Sequence, residues 1–407
     1  MSGKVIFIDY PEGKILRDRW FEKLSASGKL TERDLDLIKR ASDVLTDNTR
    51  KGENLPWGKC RGIVPCGSTY NGVWNWDSAF HALAVAKWDS ELAYEQFQIF
   101  FDNQADDGLF PDCILVDGKR FDNYSKPPVF PWAFDIVNKQ YPDEKMLAYA
   151  YEKYVLNERF WTTKRYSEEE GLFHYDATHV DDDWLTHIKW ESGMDDSPRW
   201  DEKITEYWAI DLNAYMVTFY DALISMAGRL GKCDDIPMWQ SKKDALVKKI
   251  NTVLWDDNIK CYVDVDRFTG EPSRVLTPCC FAPLFAKCAD EDKAAEMAKH
   301  ASNPELFYPG MPTVAYNDPE YRPELFWRGP TWLNVAFFAI DGLYNYGYDK
   351  VASEIKDTIL DWCDKEKRDI FETYNSKTGE GCNARHFGWS SVFIIELMMK
   401  YNLKEDL

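Results

Sequence analysis

The 407-residue sequence predicts an all-α protein, an (α/α)6 toroid of six helical hairpins with a few short strands in its loops. Three observations lead there. Helical periodicity dominates, as where Leu212, Tyr215, Met216, Phe219, Leu223 and Met226 recur at intervals of three and four. Twelve segments of this kind can be marked along the chain. Short and long connections alternate between them, and antiparallel helices linked in that rhythm carry every long loop at the same end.

In chain order, helices are predicted near 31–46, 78–88, 89–103, 128–139, 142–162, 206–230, 236–254, 276–287, 290–301, 330–346, 349–366 and 387–402. Thr31 is placed to cap the first, and Asp77 and Asp89 the next two. Ile394, Leu397, Met398 and Tyr401 repeat the helical spacing near the end, and the first and last helices are expected to close the ring. The long connections are 47–77, 104–127, 163–205, 255–275, 302–329 and 367–386; their length and their Trp, Gly, Pro and carboxylate content predict ordered loops around a pocket. A less regular helical bundle is the competing architecture. Strand signals are confined to Val5–Ile8 and a hairpin around Tyr262–Val265 closed by Thr269–Gly270. No Ser/Gly run, Pro-rich tract or charge block divides the chain, so residues 1–407 are expected to form one domain.

Composition narrows the partners. Against 49 basic residues stand 69 acidic ones, a formal net charge of -20. Nucleic acids and anionic membranes select basic surfaces and are not expected partners. The apolar run Val5–Ile8 is too short for a secretory signal and no stretch reaches the length of a membrane span, so a cytoplasmic protein is expected. None of the 10 cysteines forms a C-x-x-C pair, and Cys279, Cys280, Cys288 and Cys363 sit in apolar stretches, which predicts buried free thiols and no metal site. The chain carries 17 Trp, 22 Tyr and 23 Phe, more Trp than a core needs. Sugar clefts use such rings, because the apolar face of a pyranose stacks on them, so a small saccharide or glycoside is the expected partner.

The chemistry-bearing residues concentrate in the long loops. The first ends in Tyr70-Asn71-Gly72-Val73-Trp74-Asn75-Trp76-Asp77, three rings and a carboxylate suited to a stacked, hydrogen-bonded sugar. The third holds Trp190-Glu191-Ser192-Gly193-Met194-Asp195-Asp196-Ser197-Pro198-Arg199-Trp200. Gly193 permits a left-handed turn. Adjacent Asp195 and Asp196 project differently, so only one can serve a site, and Arg199 suits either a substrate hydroxyl or a carboxylate. Asp181-Asp182-Asp183 upstream read as a solvated acidic loop. The fifth loop ends in Phe326-Trp327-Arg328-Gly329-Pro330-Thr331-Trp332, where Pro330 suits a helix start and Arg328 needs a carboxylate or substrate as partner. The last holds Phe371-Glu372-Thr373-Tyr374-Asn375, Gly379-Glu380-Gly381 and His386-Phe387-Gly388-Trp389. Cleaving a glycosidic bond needs one protonated and one ionised carboxyl group on opposite sides of the sugar, and acids on different loops supply that arrangement. Spacing alone does not choose between Glu372 and Glu380.

Trp190 to Asp195, Trp327 to Trp332, Glu372-Thr373-Tyr374-Asn375 with Thr378-Gly379-Glu380-Gly381, and Phe387-Gly388-Trp389 closely resemble, in this order, glycoside hydrolase family 63. Family 37 trehalases look like more distant relatives. The resemblance runs from about Tyr70 to Trp389. It implies an (α/α)6 barrel, hydrolysis of α-glucosides or α-mannosides with inversion, and no metal or other cofactor. By the same resemblance Asp195 is the general acid and Glu372, not Glu380, the general base. Tyr70, Trp74, Trp76, Asp77, Trp190 and Gly193 look like the terminal-sugar pocket of small bacterial members that hydrolyse glucosylglycerate and mannosylglycerate, with Asp77 implied to bind sugar hydroxyls in the −1 subsite. Arg199, Trp327, Arg328, Trp332, His386 and Trp389 complete the candidate substrate-binding residues.

Two positions depart from the family's pattern. Lys126 stands before Pro127-Pro128 where Gln is expected, and Phe326 stands where Tyr is expected. Lys126 either favours an anionic leaving group or contacts water on the rim; Phe326 has lost a hydroxyl. Two other functions are compatible with the toroid, because fold does not fix function. One is a sugar isomerase or epimerase, with His81 and His386, of six His residues, near the pocket loops. The other is a saccharide-binding protein without catalysis.

Overall fold

The structure, a computed structural model, describes residues 4–175, 190–201 and 207–403. Six helices form an inner ring: Asn75–Val85, Phe130–Gln140, Ile210–Arg229, Ala282–Phe285, Leu333–Asn345 and Gly388–Tyr401. Each packs against the next, and the last returns to the first, so the ring is closed. Outside them run Glu32–Asp47, Ser90–Asp102, Glu144–Lys164, Ile236–Val253, Glu291–Ser302 and Asp349–Lys365. The fold is the predicted (α/α)6 toroid.

The two layers differ in sequence as their surroundings demand. Inner helices meet protein on all sides: every residue of Asn75–Val85 is buried, as is every residue from Leu333 to Leu343. Outer helices bury one stripe; Asp349–Lys365 buries Ala352, Ile355, Lys356, Ile359, Leu360 and Cys363. Thr31 and Asp34 form a capping box, and Asp89 and Asp143 accept the N–H groups of Leu92 and Met146. All ten cysteines are free, with Cys279, Cys280, Cys288 and Cys363 buried. Among the described residues no helix is long and apolar enough to cross a membrane.

Three sequence expectations are corrected and a fourth holds in part. Asp77 does not cap its helix: strand Gly72–Trp74 runs directly into the helix at Asn75, which makes Asp77 a buried first-turn residue. The helix expected near 276–287 is a 3-10 segment, Pro278–Phe281, followed by one α turn, Ala282–Phe285; Pro278 and Pro283 supply no N–H to a longer ladder. A helix at Pro11–Ala26 was not predicted and packs outside the ring on Glu32–Asp47. The hairpin near Tyr262–Val265 closes as expected, Val265 bridging Pro272, but its strand is split between two further partners. Cys261–Tyr262 pairs back with Trp255–Asp256, while Val265–Asp266 pairs with Tyr207–Trp208, and the chain turns at Asp266–Gly270.

The long loops carry small antiparallel sheets that position the site. Gly72–Trp74 pairs with Cys113–Leu115, which pairs with Arg120–Phe121, so the first and second loops form one unit. In the last loop Phe371–Tyr374 pairs with Gly381–Arg385. The acidic run Asp181-Asp182-Asp183 lies outside the described residues.

Candidate active site

At the loop end of the ring lies a cavity of about 380 Å³, measured to its open mouth. It is lined by Tyr70, Trp74, Trp76 and Asp77 from the first loop, Lys126 from the second, and Gly193 and Asp195 from the third. Phe326, Trp327 and Trp332 come from the fifth, and Glu372, Phe387 and Trp389 from the last; Pro65 completes the wall. Its walls are rings held against rings. Trp327 and Trp332 stack at 3.8 Å, Trp389 meets Trp76 edge-on at 5.2 Å, and Tyr70 meets Trp74 edge-on at 5.7 Å. The Trp332 indole donates to the Phe326 carbonyl at 2.7 Å, which fixes its ring plane.

Asp195 sits on an irregular loop held from both sides by buried ions. Arg165 grips Glu191 through two nitrogens, and Arg199 grips both Asp211 and Asp264. Gly193 has φ +74, and a Cβ there would stand 2.3 Å from the Trp76 ring, so glycine is required both for the turn and for the ring's approach. The two neighbouring aspartates divide as their directions require. Asp196 accepts the Trp327 backbone N–H at 2.7 Å and ties the third loop to the fifth. Asp195 faces the cavity, with 33 % of its side chain accessible, while its Oδ1 is sealed from solvent without a hydrogen-bond donor. Burial raises its pKa from 3.8 to about 7; Lys126 opposes the rise, and Asp112 and Asp196 add to it.

Glu372 comes from regular structure. The hairpin shifts register at Glu372: Asn383 and Ala384 of the partner strand stand opposite it, a bulge with Asn383 at φ +63. Glu372 Oε2 accepts the Ala384 N–H of the partner strand at 3.1 Å, and the Tyr70 hydroxyl donates to it as well. Thr331 bridges Tyr374 through two backbone bonds, so the hairpin is in register with the Trp327–Trp332 stack. Burial raises the Glu372 pKa from 4.5 to about 7, against the two hydrogen bonds, with the Asp195 charge contributing. Glu380, the alternative by spacing, is exposed and stands 3.9 Å from Arg368.

Four candidates lie outside the cavity wall. Arg199 is buried with its guanidinium engaged by both Asp211 and Asp264; it fixes carboxylates and does not reach the cavity. Arg328 pairs with Asp201 at 2.6 Å. His386 lies 3.3 Å from Asp369 and 3.6 Å from Asp47 and is part-exposed. Trp190 packs its ring on Phe121 and Tyr124 and offers its carbonyl to Lys126. Lys126 is not on the rim in water; it is buried beside Asp112, which sequence reasoning missed. Nothing in the sequence separates Asp112 from Asp106, Asp107, Asp117 and Asp122 of the same loop.

Two carboxyl groups, Glu372 buried and Asp195 partly accessible, face one aromatic cavity on a closed toroid, an arrangement suited to hydrolysis of glycosidic bonds, and the family to which the chain belongs makes it a glycoside hydrolase. The chain belongs to the mannosylglycerate hydrolase MGH1-like glycoside hydrolase domain family, whose model matches residues 70–390. A mannosylglycerate hydrolase from Thermus thermophilus is 25% identical over 88% of this chain and 99% of its own length. Mannosylglycerate hydrolase MGH1 from Selaginella moellendorffii is 23% identical over 94% of this chain and 89% of its own. In structure, a GH63 mannosylglycerate hydrolase from Thermus thermophilus in complex with glucose superimposes with TM-score 0.77 at 24% identity, covering 89% of this chain and 100% of that one. A neutral trehalase from Saccharomyces cerevisiae superimposes with TM-score 0.69 at 19% identity, covering 85% of this chain and 74% of that one.

Proposed function

We propose that this glycosidase is an inverting hydrolase of a small α-glucoside or α-mannoside, with Asp195 as general acid and Glu372 as general base. The observation that carries the reading is the contrast between two carboxyl groups in one cavity. Glu372 is held by two donors, as an ionised base requires. Asp195 has no donor on the buried Oδ1, which favours the protonated form an acid requires. They sit on the third and sixth of six loops, and those positions stand across a six-fold ring from each other. That placement suits inversion, in which a water fits between sugar and base.

Asp195 gives its proton to the glycosidic oxygen as the C–O bond breaks. Glu372 takes a proton from the water that attacks the anomeric carbon from the other face. Asp77 and the Trp76, Trp327, Trp332 and Trp389 rings hold the sugar. The Thermus structures in complex with glucose, and with Tris and D-glycerate, support a small sugar with a small leaving group. We read residues 1–407 as one catalytic domain acting in a reducing compartment such as the cytoplasm, with all ten thiols free.

Proton NMR with α-glucosyl fluoride and α-mannosyl fluoride tests the stereochemistry. Release of the β-anomer before mutarotation is expected; release of the α-anomer first would overturn inversion and both roles. The two histidines nearest the pocket loops in sequence, His81 and His386, give an isomerase no support. His81 is buried outside the cavity wall, with burial lowering its pKa to about 3, and His386 lies beside Asp369 and Asp47.

A further inference from the structure

Lys126 replaces an expected glutamine, and its surroundings say what the replacement does. The side chain is buried. Its ammonium donates to the Trp190 carbonyl, lies 3.2 Å from Asp112 Oδ1 and stands 3.9 Å from Asp195 Oδ1. Asp112 is buried too, and it is bonded by the side chains of Tyr124 and Cys113 besides Lys126. An ammonium has three N–H groups. The Trp190 carbonyl takes one, and the ammonium's charge lies between Asp112 and Asp195.

We propose that Lys126 and Asp112 form a charge couple that positions Asp195 and governs when it holds its proton, rather than an anchor for an anionic leaving group. The proposal rests on the reading of Asp195 as general acid. An anchor needs a cation whose charge is unspent, and this one is already matched by a buried carboxylate 3.2 Å away. Around the same ammonium stand three carboxyl groups, Asp77, Asp112 and Asp195, all influenced by its charge. Three carboxyls around one cation do not all ionise together at neutral pH. Asp112, the nearer of the two to the ammonium at 3.2 Å, is where the negative charge settles, and Asp195, at 3.9 Å, is where a proton stays. When that proton passes to the glycosidic oxygen, the new Asp195 carboxylate faces the ammonium across 3.9 Å, so the couple stabilises charge as it develops. The other groups facing Asp195 are Asp196, Glu372, Tyr70 and Tyr124. Each carries negative charge when ionised, so Lys126 alone among these groups opposes them.

The two members of the couple act on Asp195 with opposite sign, and that is the test. The profile of kcat/KM against pH is measured for wild type, Lys126→Gln and Asp112→Asn. The substrate is whichever of α-mannosylglycerate and α-glucosylglycerate the wild type cleaves, and α-glycosyl fluoride serves as control. Losing the cation raises the Asp195 pKa, so in Lys126→Gln the alkaline limb moves up by about one pH unit; losing the Asp112 charge leaves the ammonium uncompensated, so in Asp112→Asn it moves down by about one unit. Limbs that stay put in both variants, or move the same way, overturn the proposal, and lower turnover without a limb shift marks a merely structural role. Asp112→Asn is isosteric and decides the matter by itself if Lys126→Gln does not fold. In Lys126→Gln, KM for the glycerate and for the corresponding uncharged glycerol glycoside should change by the same factor. A tenfold or greater loss confined to the glycerate makes Lys126 an anchor and overturns the proposal. Wild type inactive on every substrate including the fluoride overturns the hydrolase reading instead.

Discussion

The Asp195 loop, residues 190–201, and the Glu372 hairpin, Phe371–Tyr374 with Gly381–Arg385, each raise a carboxyl pKa to about 7, but they hold that carboxyl by different means. Glu372 is fixed by backbone geometry: the bulge opposite it, Asn383–Ala384, brings the Ala384 N–H onto its carboxylate. Asp195 is fixed by ions, with Arg165–Glu191 and Arg199–Asp211–Asp264 gripping its loop and Lys126 beside its carboxyl. Both pKa values rise to about 7 through burial. Hydrogen bonds temper the rise at Glu372; a cation tempers it at Asp195. A base that must stay ionised is best served by fixed donors, whereas an acid that cycles between neutral and charged is best served by a charge at a short distance that favours neither state strongly.

The largest way to break this comparison is to remove each carboxyl in turn. Glu372→Gln should lose about 10³-fold or more in kcat on every substrate, because no group then activates water. Asp195→Asn should lose as much on an alkyl glycoside yet keep most activity on α-glycosyl fluoride, whose leaving group needs no proton. Equal losses on the fluoride would erase the distinction between the two residues.

Next comes the ionic anchoring of the Asp195 loop. Arg199→Met leaves Asp211 and Asp264 buried without their cation and should cost about 3–5 kcal/mol, read as a fall in thermal midpoint at pH 7. A third test uses the sign of the Glu372 shift. Its folded pKa, about 7, lies above the ordinary 4.5, so its contribution to stability is full below about 4.5 and is lost as pH rises through 7. Glu372→Gln escapes that loss and should exceed wild type by about 3 kcal/mol at pH 8 while matching it at pH 4, in denaturant titrations at the two pH values. The smallest effect is expected from Tyr70→Phe. It removes a donor to ionised Glu372, so the base holds its proton more tightly and the acidic limb of kcat/KM moves up by about one pH unit.

The toroid was legible because helical spacing dominates the chain and because loop length alternates along it. Boundaries slipped where proline or a strand intervened, at Pro283 and before Asn75. Pro11–Ala26 escaped because it buries only Gly13, Arg17 and Leu24, too few to mark a stripe. Of the site, the aromatic and glycine positions were readable as motifs, and Asp195 and Glu372 stand in the cavity the motifs implied. Arg199 and Arg328 were not, since an arginine that grips a substrate and one that grips a carboxylate look the same in sequence. Asp112 was invisible for a related reason: its partner is fourteen positions away in the same loop, and only the three-stranded sheet brings them together.

The ring closes by joining Gly388–Tyr401 to Asn75–Val85, and some 300 residues separate those helices in the chain. On the ribosome, at about 5–20 residues per second, the earlier helix is made roughly 15–60 s before its neighbour. Throughout that interval Trp76 and Phe80 lack Trp389 and Phe393, the rings that cover them in the finished protein. The nascent chain therefore carries an open apolar wedge until Gly388–Tyr401 is synthesised, so closure of this ring is a late, long-range event in the making of the fold.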